Sequence, residues 1–269
     1  MTRRSGPEAL TAELLESPVM RVVDRLGESG LGRFIVGLGL LGFAAENVLF
    51  RHYVVARAAP WPDDPSVRFA VACLTAAVFA VTGAAFVSNR WLRSTGLASA
   101  ALIAGWSAIR HLPVAIAGPA WSGDWTNVLK AATIAAGVLG VAVADGRPLG
   151  RALSALRTAA PYAAGSFFLL GGIQHFMFAS FVVTLMPPFM PGALFWVYFA
   201  GVALISAGLG LWTPPLRGLA GTLAAAMVFS WVFLVHVPLI LRIGRAEWMG
   251  VFEALTISGC CLVLAHRRR

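Results

Sequence analysis

Apolar residues run along this chain in eight blocks of about 20 residues, divided by short stretches of arginine, aspartate, glycine or proline. The blocks fall at about Leu31–Tyr53, Val67–Val87, Ser94–Ala117, Trp125–Ala144, Ala159–Met186, Ala193–Leu211, Leu216–Leu241 and Trp248–Ala265. An α-helix of that length covers the hydrocarbon core of a bilayer and satisfies its own backbone hydrogen bonds there. The pattern predicts an all-α integral membrane protein with eight transmembrane helices. None of the blocks reads as discontinuous in the matched manner of transporter helices.

The polar positions inside the blocks repeat. Shifting the chain by 128 residues lays Glu46 on Gln174, Asn47 on His175, Phe50 on Phe178 and Pro60 on Pro188. With small gaps, Trp106, His111 and Pro113 then meet Trp231, His236 and Pro238, and Lys130 meets Glu253. This self-similarity predicts two four-helix repeats, 31–145 and 159–266, joined by a linker at 146–158. An even number of spans gives both repeats the same orientation, with a pseudo-axis along the membrane normal.

Residues 1–30 mix arginine with glutamate and aspartate and do not read as a signal peptide. Val19, Val22, Val23 and Leu26 recur at helical spacing, which predicts a short surface helix; a solvated arm is the alternative.

Composition agrees with a bilayer: 58% of residues are hydrophobic, 12% are charged and the mean hydropathy is +0.78. The charge of +9 does not point to nucleic acid, because the arginines sit in loops between apolar blocks. Fourteen of the twenty arginines fall on the side of the termini, which places both termini in the cytoplasm of a bacterial inner membrane. Cys73, Cys260 and Cys261 form no CxxC or zinc spacing, and no metal site is expected. No hydrolase or nucleotide-binding motif is present.

The candidate chemistry is a polar layer in the half of the bundle away from the termini. Lys130 and Glu253, each six residues inside a helix start, need partners at that depth; pairing with one another, Lys130 with Glu46, an arginine with Glu253, or snorkelling of Lys130 would serve. Glu46 and His175 lie at equal depth in the first helices of the two repeats and could accept protons together, or simply pack. His111 and His236 could ligate a b-type haem from opposite sides, or anchor the interface beside Trp106 and Trp231.

One stretch carries a family resemblance. His175-Phe176, the proline exit Pro187-Pro188-Phe189-Met190-Pro191, Trp196 to Val202 and Gly208 to Leu211 resemble the DoxX family of four-helix membrane proteins. The likeness is good over 160–265 and faint over 31–145, so the chain resembles a tandem duplication of a DoxX-like unit. The family takes its name from subunits of a thiosulfate:quinone oxidoreductase. The resemblance implies a quinone-linked membrane subunit, and the outer polar layer offers His236, Arg242, Trp231 and His111 as the residues to bind a quinone head group or a haem. Glu46 and His175 would accept protons, and the electron donor would lie in a partner redox subunit or a haem. A non-catalytic accessory subunit and a small-anion or lipid transporter are the other readings.

Overall fold

A computed structural model describes residues 17–53 and 61–265, and every regular element among them is helical. The prediction for Pro60, the first 16 residues and the last four lies outside the described residues. In chain order the elements are α1 (Pro18–Glu28), α2 (Leu31–Phe50), α3 (Pro65–Ser88), α4 (Leu92–Ala117), α5 (Gly123–Ala142), α6 (Arg151–Met177), α7 (Ala179–Leu185), α8 (Ala193–Trp212), α9 (Arg217–Ile243) and α10 (Trp248–Ala265). Seven of these are long and apolar enough to cross a membrane, or eight if α6 and α7 form one bent span. Leu74, Val81, Phe181, Phe195 and Leu241 project outward from the bundle, more apolar surface than water tolerates on a monomer.

Local chemistry sets the helix ends. Asp64 caps α3, its Oδ1 accepting from the N–H groups of Ser66 (2.8 Å) and Val67 (2.9 Å), with Pro65 at the first helical position. Ser17 caps α1 in the same way, with Pro18 next. The predicted surface helix thus forms, but its apolar positions divide: Met20 and Val23 are buried beside Gly218 of α9, while Val19 and Val22 face outward.

Two stretches differ in local shape from their expected form. The expected linker 146–158 turns helical at Arg151, because Arg151 to Arg157 consists of good helix formers with no glycine or proline after Gly150. The fifth block is not one straight helix to Met186: the chain bends by 99° between α6 and α7. No proline or glycine marks the bend, and we have no sequence-level account of it. Beyond it, α7 buries no residue.

α4 and α9 run without a break, as expected, but each contains a π-helical turn, Ser107–His111 in α4 and Val232–His236 in α9. Pro113 and Pro238 explain them. Each follows its turn by two residues, lacks an N–H and crowds the preceding turn, which widens so that Leu112 and Val237 donate five residues back to Ser107 and Val232.

Packing follows an ordered scheme. In the first half α2 lies on α3, α3 on α4 and α4 on α5; in the second, α6 lies on α8, α8 on α9 and α9 on α10. Across the halves α2 packs on α10, α6 on α5, and α5 on α10. Glycines allow these approaches. A Cβ on Gly37 would press on the Gly83 carbonyl of α3, and one on Gly165 on the Gly208 carbonyl of α8. Gly96 faces Ala142 across α4 and α5, as Gly221 faces Ala265 across α9 and α10.

Gly39 is the tightest point on α2, where an added methyl would overlap the Thr256 side chain and stand 3.1 Å from its Cα. Gly39→Ala is therefore expected to cost about 1–3 kcal/mol. Gly105→Ala meets nothing within 4 Å and is expected to be neutral. Thermal unfolding in detergent compares the two; equal melting would refute the tight approach of α2 and α10.

Candidate functional site

The charged residues converge where α2, α5 and α10 meet. On α2, Gly32, Gly39, Gly42 and Glu46 are spaced by seven, three and four residues, so they form one stripe. Gly32 meets Leu262, Gly39 meets Thr256 and Gly42 meets the Phe252 ring, so that stripe faces α10 and carries Glu46 with it. On α5, Gly137 lies two turns beyond Lys130; on α10, Cys260 lies two turns beyond Glu253. Gly137 packs directly on Cys260. The same register brings Lys130 and Glu253 together.

Lys130 Nζ donates to Glu253 Oε2 at 2.7 Å, and the two side chains are 14% and 8% exposed. Lys130 pairs rather than snorkels. Glu253 Oε1 has no hydrogen-bond partner. Glu46 is 0% exposed, neither of its oxygens has a hydrogen-bond partner, and the charge acting on it is Glu253. Glu253 thus stands between an ammonium that it pairs with and a second carboxyl group whose charge it opposes.

Glu46 and His175 do not form the pair that equal depth suggested. No hydrogen bond or ion pair joins them. His175 Nδ1 donates to Gly171 O of its own helix (2.7 Å), and its ring stacks on Trp231 of α9. Its neighbour Gln174 ties α6 to the start of α5, accepting from Thr126 Oγ1 (2.6 Å) and donating to the carbonyls of Trp121 and Ser122. Depth fixes only one coordinate, and the α10-facing stripe of α2 turns Glu46 toward Glu253 instead.

A second polar group sits at the same end of the bundle. His236 Nδ1 donates to Glu247 Oε1 at 2.7 Å, and Glu247 is 3% exposed. Gly250 makes room: a Cβ there would lie 2.6 Å from His236 Nδ1. Arg242 donates to the Met186 carbonyl at 3.2 Å. His111 is buried in the π-helical turn of α4. Nearby on α4, Trp106 packs on Tyr53 with ring centroids 4.1 Å apart, and the Arg110 guanidinium lies over Trp61. Burial pushes the Tyr53 hydroxyl well above the usual phenol range.

Residues 163–257 match a family model described as a domain of unknown function, DUF8561. The match takes in Gln174, His175, Trp231, His236, Arg242, Glu247 and Glu253, and leaves out Glu46 and Lys130. No curated protein and no solved structure matches the chain.

Sequence reasoning passed over Glu247, which reads as an ordinary acid between two helices until the π-helical turn directs His236 toward it. It also passed over Arg217, counted only as a loop charge although it is 3% exposed. Among the described residues no group of three or more His, Cys, Asp or Glu is placed to hold a metal ion. Chemically, the Lys130–Glu253–Glu46 cluster can bind and release a proton, since one carboxyl group beyond the ion pair is neutral only with a proton on it. The imidazole of His236, oriented by the Glu247 carboxylate, can donate or accept through its other ring nitrogen.

Proposed function

We propose that the protein is an integral membrane subunit of a quinone-linked oxidoreductase, in which Glu46, Glu253 and Lys130 exchange the proton that accompanies quinone chemistry. The observation that carries this reading is the buried Glu46 carboxyl group without a hydrogen-bond partner beside a complete ion pair. A structural pair needs one carboxylate for one ammonium. A second carboxyl group in the same apolar setting adds cost and no hydrogen bond, which is the usual mark of a working group inside a membrane. The redox assignment rests on the DoxX resemblance of 160–265, and the quinone would be held beside Trp231 by His236 and Arg242.

The repeat reading is part of this proposal and has its own support. The packing order of α2 to α5 recurs in α6 to α10, and so do the glycine contacts Gly37–Gly83 and Gly165–Gly208. We place both termini in the cytoplasm of a bacterial inner membrane from the arginine distribution. Electrons would come from a partner subunit.

Infrared difference spectroscopy on protein in lipid nanodiscs, with and without added quinol, tests the reading. A carboxyl C=O band that changes with quinol and vanishes in Glu46→Gln is expected. Quinol that neither binds nor perturbs any carboxyl band would sink it. The buried Lys130–Glu253 pair favours a second reading, a small-anion or lipid transporter, because ionisable side chains among apolar helices mark ion and substrate pathways. Flux into proteoliposomes that disappears in Lys130→Ala would promote it over the first.

A further inference from the structure

At the end of the bundle opposite the Glu46 cluster, a cavity of about 360 Å³ opens among α2, α5, α6, α9 and α10. Arg33, Arg157 and Arg217 line it, with the hydroxyls of Ser154 and Thr158. Among the described residues the one acidic group on its wall, Asp145, already pairs with Arg93 (3.1 Å) and Arg147 (3.4 Å). The wall therefore carries an excess of positive charge.

Arg217 decides what that charge is for. It is 3% exposed, its Nε donates to the Leu211 carbonyl at 2.9 Å, and its guanidinium lies 5.5 Å from the centre of the Tyr162 ring. No carboxylate pairs with it among the described residues, and its buried Nη2 has no hydrogen-bond partner. A desolvated guanidinium without a counter-ion is costly to keep, and a cavity beside it gives an anion access. Arg33 lines the cavity from α2 and donates to the Phe86 carbonyl. Arg157 is exposed at the rim.

We propose that this cavity binds a phosphate group, with Arg217 at its base and Arg33 and Arg157 at its sides. The guanidinium fork matches two phosphate oxygens, and the Ser154 hydroxyl can donate to a third, while the Thr158 hydroxyl already donates to the Ser154 carbonyl (3.0 Å). The volume is near the lower bound for ligand pockets, which suits a phosphate ester better than a large molecule. Leu92, Leu262 and Val263 form an apolar flank, and the cavity lies where the apolar helices end. The phosphate can come from an anionic phospholipid or from a free phosphate compound. This site does not depend on the redox reading.

Protein in phosphatidylcholine nanodiscs, titrated with inorganic phosphate, is compared with protein in nanodiscs containing phosphatidylglycerol, using thermal unfolding and native mass spectrometry. Stabilisation by phosphate in neutral discs identifies a free phosphate ligand. Stabilisation and co-purified lipid only with phosphatidylglycerol identify the headgroup. In either case Arg157→Gln, a rim change that leaves the fold alone, is expected to weaken binding about tenfold, and Arg217→Lys to abolish it. No stabilisation by either ligand, or binding unchanged in both variants, overturns the proposal.

Discussion

Lys130→Met destabilises the bundle by about 3–5 kcal/mol, the range for removing one partner of a buried ion pair. The argument is electrostatic. Glu253 keeps its carboxylate in a site that is 8% exposed, beside the Glu46 carboxyl group, with no cation left to balance it. Restoring the balance restores the fold: Lys130→Met with Glu253→Gln recovers most of the loss, because two neutral side chains need no counter-ion. Thermal unfolding in mild detergent for the wild type, both single variants and the double variant gives the coupling directly. Additive losses, with the double variant worse than Lys130→Met alone, would mean that the 2.7 Å contact holds nothing.

Glu46→Met is expected to move stability the other way, by about 1–3 kcal/mol in favour of the folded state, the cost of burying an unsatisfied polar group. Methionine keeps the length of glutamate, and nothing hydrogen-bonded is lost, because neither oxygen of Glu46 has a partner. The same change removes the second carboxyl group of the cluster, so the quinol-dependent carboxyl band should vanish while the melting temperature rises. That opposition separates a working residue from a structural one. A Glu46→Met protein that melts earlier than wild type would assign Glu46 to the fold instead.

The sequence made some of this legible for identifiable reasons. Lys130 and Glu253 fell at matched positions of the self-similar sequence, and a lone charge inside an apolar block demands a partner; the register of Gly137 on Cys260 supplies the geometry. Glu46 was legible as a buried acid but not its neighbour, because matched depth says nothing about the direction in which a side chain leaves the helix. The glycines at 32, 39 and 42 hold that information, and it is read only once α10 is known to lie against them. Arg217 was hidden because an arginine at a helix start reads as a topological signal. Pro113 and Pro238 were visible, yet the widened turns before them were not anticipated, because a proline can also kink or end a helix. The bend after Met177 has no glycine or proline to announce it.

The crossing of the halves has a consequence for how the chain is made. α5 carries Lys130, and its partner on α10 lies 123 residues later. At ordinary translation rates the ribosome needs roughly 6 to 25 s to reach Glu253 after Lys130 has emerged. Read as a membrane protein, the nascent chain must hold an uncompensated ammonium among apolar helices for that whole interval. The pair that closes the bundle is therefore among the last contacts the chain can make, set only once α10 lies against α5.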